Sequence, residues 1–101
     1  MAGFVKVARK SELPADSGYY VEVNGKEMAL FKVGDEVFAI YQTCPHAGAP
    51  LSEGFLHGKK VTCPWHGWEF DVTNGQCTFN PEIQQPVYKV KVKGDDVYVQ
   101  A

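Results

Sequence analysis

The stretch Cys44-Pro45-His46-Ala47-Gly48-Ala49-Pro50 and its counterpart Cys63-Pro64-Trp65-His66-Gly67-Trp68 decide how this chain is read. Each offers one thiol and one imidazole, as C-x-H and C-x-x-H separated by sixteen residues, 47–62. Two soft sulfur donors with two borderline nitrogen donors suit either a tetrahedral zinc ion or an iron-sulfur centre, and ligand type alone leaves both open. The candidate metal ligands are Cys44, His46, Cys63 and His66.

Working outward from these loops, the chain reads as short strands and turns. Val37-Phe38-Ala39-Ile40-Tyr41, apolar on both faces, feeds the first loop and is expected in the middle of a sheet with both sides covered. Tyr19–Val23, Asn24-Gly25 and Lys26–Val33 form a hairpin signal, because Asn-Gly adopts the positive φ values of a tight type I′ turn. Gly34-Asp35 marks a further reversal. Val61-Thr62 leads into the second loop, and the alternation of Trp68, Phe70 and Val72 places them on one face behind it. His57-Gly58-Lys59-Lys60 reads as a turn, with His57 a solvated residue outside the motif. Asn80–Pro86 is a loop, since its prolines lack the N–H donors of a central strand. Val87–Lys93 alternates throughout, predicting one strand with Tyr88, Val90 and Val92 inward, which Gly94-Asp95 turns into Val97-Tyr98-Val99. No normal helix fits between Phe4–Ala8 and Gly18, and the expectation is an all-β fold of eight to ten short strands, in an antiparallel sandwich or barrel.

At 101 residues with 45% hydrophobic content, one domain over 1–101 is expected. Ten basic residues against twelve acidic, a formal charge of −2, provide no basic block for a phosphate backbone, so nucleic acid is not expected as a partner. No apolar run approaches the roughly 20 residues of a membrane span, and residues 1–6 lack a secretory pattern, so a cytoplasmic, non-membrane protein is expected. Three cysteines argue against a disulfide framework, and Cys77, outside the motif, reads as a small buried hydrophobe. The chain also lacks a G-x-G-x-x-G nucleotide fingerprint and a Ser/His/Asp set, so it is not expected to be an enzyme in its own right.

The residues that follow each pair, Ala47-Gly48-Ala49-Pro50-Leu51-Ser52-Glu53-Gly54 and Gly67-Trp68-Glu69-Phe70-Asp71, resemble the Rieske family. That resemblance implies one 2Fe-2S cluster, with Cys44 and Cys63 on the inner iron and His46 and His66 on the outer one. It implies a Rieske-type sandwich or barrel with a small cluster-binding subdomain formed by the two ligand loops, about residues 43–67, and a third loop, Asn80–Pro86, packed over the cluster. Gly48 and Gly67 are expected to bring backbone N–H groups to sulfur. The role implied is that of a ferredoxin carrying electrons from a flavin-containing, NAD(P)H-dependent reductase to the terminal oxygenase of a bacterial aromatic-ring dioxygenase. The small subunit of an assimilatory nitrite reductase is the alternative, and a zinc-stabilised binding module a further one. Respiratory Rieske proteins carry disulfide cysteines and cluster-side hydroxyls at positions that correspond here to Ala49, Trp65, Trp68 and Phe70. Without those hydroxyls the potential is expected in the lower half of the Rieske window, roughly −150 to 0 mV. The apolar residues Pro45, Ala47, Ala49, Pro50, Pro64 and Trp65 are expected to form a collar where partners dock.

Overall fold

Every second residue of the strand Lys26–Val33 belongs to a different core, and that alternation organises the molecule. Met28 and Leu30 pack into one apolar cluster, Ala29 and Phe31 into another, and all four are fully buried. The neighbouring strand repeats the pattern, with Val37 and Ala39 on the first side and Ile40 on the second. A sheet covered on both faces needs two partners, and the chain supplies them as two smaller sheets.

The computed structural model describes residues 3–44, 48–65 and 67–100. Among these residues there are ten strands: β1 (Phe4–Arg9), β2 (Tyr19–Val23), β3 (Lys26–Val33), β4 (Glu36–Tyr41), β5 (Phe55–His57), β6 (Lys60–Thr62), β7 (Glu69–Asp71), β8 (Val87–Tyr88), β9 (Val90–Lys93) and β10 (Asp96–Gln100). The central sheet runs β2-β3-β4-β8 and is flanked by β1-β10-β9 and β5-β6-β7, with every strand pair antiparallel. Val97 and Val99 of β10 face Met28 and Leu30, while Leu56, Val61 and Phe70 of the other small sheet face Phe31 and Ile40. Full burial of such a side chain contributes about 1.5–3 kcal/mol, so both interfaces hold the central sheet firmly. The all-β, antiparallel sandwich expected from the sequence is what forms. No helix among the described residues is long and apolar enough to cross a membrane.

Turn chemistry sets the register where expected. Asn24 and Gly25 have φ of 53° and 80°, the type I′ geometry, and the β2–β3 pairing begins at Val23↔Lys26 on either side of them. One expectation fails. Val87–Lys93 is not a single strand: β8 pairs with β4 in the central sheet, whereas β9 pairs with β10 in the outer one. The switch falls at Lys89, whose carbonyl accepts the Gln100 N–H at 3.0 Å. The alternation survives the crossover because Tyr88, Val90 and Val92 still pack against the same core.

Candidate metal centre

β4 emerges from the double-sided core and delivers Cys44 through Gln42 and Thr43. The first loop is pinched shut by successive contacts: Leu51 N–H to the Gln42 carbonyl at 2.8 Å, the bridge Thr43↔Pro50, and Cys44 N–H to the Ala49 carbonyl at 2.9 Å. A 3-10 turn, Leu51–Glu53, then leads into the β5–β6 hairpin, whose last strand ends at Thr62, next to Cys63. The second loop is closed in the same way, with Cys63 N–H donating to the Trp68 carbonyl at 2.6 Å. In each loop the cysteine N–H bonds the carbonyl five residues on, and the residue between, four on, is a glycine at nearly equal φ, 72° for Gly48 and 71° for Gly67. The two loops therefore share the same closing hydrogen bond and the same glycine conformation. Neither glycine would bring a Cβ within 4 Å of a neighbour, so the left-handed backbone rather than crowding requires glycine there.

The two thiols meet beneath the loops. Cys44 is 1% and Cys63 2% exposed, both in the core cluster shared by the central sheet and β5-β6-β7. Their side chains hydrogen-bond to each other, and the backbone N–H of Trp65 also reaches Cys63. Burial pushes the Cys63 thiol up to about 11; the Trp65 N–H opposes the rise, and Cys44 adds to it. Without a cation this pocket disfavours the Cys63 thiolate, so a metal centre fits as the counter-charge the site calls for. No disulfide forms among the described residues. His46 and His66 lie outside the described residues.

Other expectations divide. Cys77 is buried at 1%, as expected, within the same apolar cluster. His57 ends β5 rather than sitting in the turn, and its exposed ring contacts Thr62 Oγ1 at 3.3 Å and Glu69 at 3.6 Å. The Gly48 N–H does not aim at sulfur: it donates to the Cys44 carbonyl at 2.9 Å, because the tight loop needs that bond for closure. An N–H that does face a sulfur is that of Trp65, whose place in the sequence gave no such signal. The collar loses Ala49, which is fully buried in the apolar cluster with Phe31 and Leu51, and Pro45 and Ala47 lie outside the described residues. Pro64 and Trp65 remain exposed, Trp65 at 52%. Trp68 turns inward onto Phe70, with Phe79 against it edge-on at 5.3 Å. Sequence reasoning also missed Gln85, a buried polar residue that reaches the stem of the first loop.

Two buried, touching thiols on a three-sheet antiparallel fold suit an iron-sulfur protein of the Rieske class. The Rieske [2Fe-2S] domain family matches residues 3–96, and the chain belongs to that family. Its cofactor is one Rieske 2Fe-2S cluster, which settles the choice between zinc and iron that the donor types leave open. The ferredoxin component of the naphthalene 1,2-dioxygenase system of Pseudomonas aeruginosa is 38% identical over 87% of this chain and 86% of its own length. A chain in a solved complex of reduced oxygenase and oxidized ferredoxin in carbazole 1,9a-dioxygenase superposes with a TM-score of 0.86, at 33% identity, covering 99% of this chain and 94% of that one. A protein described as the small subunit of an NADH-dependent nitrite reductase, on provisional grounds, from Mycobacterium tuberculosis, superposes at 0.89 over 97% and 94%. Its identity is 24%, so that likeness is one of fold alone.

Replacing Cys77 with alanine or His57 with glutamine should leave iron content and visible spectrum unchanged. The thiol that bonds Cys63 is Cys44, and the His57 ring is held by Thr62 and Glu69. Cys77→Ala should cost about 1 kcal/mol as a small core truncation, read by thermal denaturation. Loss of the chromophore in either variant would overturn the separation of these two from the site.

Proposed function

We propose that this chain is a one-electron carrier, the ferredoxin component of a multicomponent oxygenase, and that Cys44, His46, Cys63 and His66 hold its cluster. The supporting observation is the pair of buried, contacting cysteines on loops closed by the same hydrogen bond. When bound, a Rieske cluster takes up and releases a single electron. The chain's own residues shield and tune it: the apolar cluster of Leu51, Phe70 and Val72 excludes water on the cysteine side, and the Trp65 N–H favours negative charge at the Cys63 sulfur. With those four side chains as ligands, the cluster would keep no open coordination position for oxygen or substrate, which supports a carrier over a catalyst.

The relatives named as ferredoxin components of dioxygenase systems support a terminal Rieske oxygenase as the electron acceptor. A flavin-containing, NAD(P)H-dependent reductase is the donor that such a system requires. We read residues 1–101 as one Rieske domain with its cluster loops at about 43–67, working in the cytoplasm. Reconstitution tests this assignment: the purified protein with a reductase and a terminal oxygenase of this class should sustain NAD(P)H-dependent oxygenation. Reduction by the reductase without onward transfer to any oxygenase, but with transfer to a nitrite reductase large subunit, would move the chain to the alternative.

Two further outcomes are expected. Phe70 is fully buried and, like Trp68, brings no hydroxyl to the centre, so the potential should fall in the lower half of the Rieske range, roughly −150 to 0 mV. Protein-film voltammetry near the top of that range would sink the argument. Trp65, about half exposed within the second loop, should contribute to a small, weak docking contact. Trp65→Ser should then preserve spectrum and potential while raising the carrier concentration needed to half-saturate the oxygenase about tenfold. An unchanged saturation curve would remove Trp65 from the contact surface.

A further inference from the structure

We infer that Gln85 is a positioning residue of this electron carrier: its side-chain amide fixes the peptide that presents Cys44. The inference rests on the reading of Cys44 as a cluster ligand.

Gln85 is 4% exposed although it sits in a proline-bounded loop. Its Nε2 donates to the Thr43 carbonyl at 2.6 Å and to the Tyr41 carbonyl at 3.1 Å. Both partners are acceptors, so the amide must present its NH2 and its orientation is fixed by chemistry. The Thr43 carbonyl belongs to the same peptide unit as the Cys44 N–H, and that N–H donates to the Ala49 carbonyl at 2.9 Å. The peptide entering Cys44 is therefore held at both ends, and a chain of hydrogen bonds runs from Gln85 through it to the far side of the first loop. Each link polarises the next, so the donor at one end strengthens the bond at the other.

Gln85 is itself anchored. Its N–H bonds the Gly75 carbonyl at 2.7 Å, and the Pro86 carbonyl accepts from Tyr41 N–H at 2.9 Å. Gly75 stands at φ 78°, where a Cβ would lie 2.3 Å from the Gln85 carbonyl oxygen, so the close approach depends on glycine. From the other direction, Asp71 N–H bonds the Gln76 carbonyl at 2.9 Å and Thr78 N–H the Glu69 carbonyl at 2.9 Å, which attaches this segment to β7, the strand leaving the second loop. Residues 75–86 thus link the exit of the Cys63 loop to the entrance of the Cys44 loop, and the Gln85 amide makes the last contact. Its donors also favour added negative charge at the Cys44 end, so their loss should make reduction harder.

The test compares Gln85→Met, which keeps the length but cannot donate, with Gln84→Met, which removes only an exposed bond to the Asn74 carbonyl at 2.9 Å. The holoprotein is measured by voltammetry, by the EPR g-values of the reduced state, and by the rate of iron release to a chelator. Gln85→Met should lower the potential, alter the g-values and release iron roughly tenfold faster, since two partly buried carbonyls lose this donor; Gln84→Met should match the wild type. A Gln85→Met protein that melts at a lower temperature with wild-type potential and g-values would overturn the inference and leave Gln85 a purely structural residue. If Gln85→Met fails to take up iron, Gln85→Asn, which shortens the same donor, decides: altered potential and g-values support positioning, and wild-type values refute it. Failure of the ligand reading is distinct, because Cys44→Ala would then keep the wild-type Rieske spectrum, and the inference would fall with it.

Discussion

Replacing Cys44 or Cys63 with alanine should abolish the 2Fe-2S cluster outright, taking iron and acid-labile sulfide to background and erasing the visible chromophore. The expectation follows from where the two sulfurs are. Each is almost wholly buried, each is the first residue of a loop closed by its own N–H, and the two are in hydrogen-bond contact. No third thiol substitutes, since Cys77 is tied into the backbone bridge with Phe70 and the thiol acting on Cys63 is Cys44. The apoprotein should nonetheless fold. Both cysteines behave in the core as small apolar side chains among Leu51, Val61 and Phe70, so truncation to alanine costs about 1 kcal/mol, far less than the burial in the two cores contributes. Far-ultraviolet circular dichroism should show the β-sheet signal retained alongside zero iron. Retention of the spectrum by either variant would remove that cysteine from the ligand set, and equal losses in His46→Ala and His66→Ala would complete it.

Much of this was legible in the chain because two periodicities and one spacing are enforced by physics. A run such as Val37–Tyr41 with no polar face can be stable only between two layers, and the structure covers it on both. Asn24-Gly25 can hardly be anything but a tight hairpin turn. The cysteine spacings carried the site because thiolate chemistry needs those atoms wherever the fold puts them. What stayed hidden depends on partners distant in sequence. The alternation of Val87–Lys93 is indifferent to which sheet each half joins, so the crossover at Lys89 left no local mark. Trp65 is as apolar as Trp68, yet one points outward and the other packs on Phe70, a choice made by the second loop's closure. Gln85 reads as an ordinary polar loop residue until Thr43 and Tyr41 are seen beneath it.

Gly54 is a glycine whose replacement should do severe damage, although its backbone is unremarkable. Its φ of −74° is open to any residue, so conformational preference does not explain it. Space does: a Cβ at Gly54 would lie 2.3 Å from the Thr62 carbonyl oxygen and 3.2 Å from that of Leu51. Neither obstacle is the end of a flexible side chain, so backbone must move. Thr62 is the last residue of β6, next to Cys63, and the Leu51 turn is bonded through Gln42 to the stem that carries Cys44. Forcing these two segments apart therefore strains the contact between the ligand loops themselves. Gly54→Ala should cost about 3 kcal/mol, the upper part of the overpacking range. For a chain of this size that corresponds to a fall of roughly 10–20 °C in thermal midpoint. The cluster should also be bound substoichiometrically, with faster iron loss to a chelator. Gly58→Ala is the control, since Gly58 has φ 62° but open space, and it should cost only about 1 kcal/mol of backbone strain with a full cluster. If Gly54→Ala melts within a few degrees of the wild type and keeps its iron, the first-loop turn and β6 are not pressed together as described, and the glycine is dispensable.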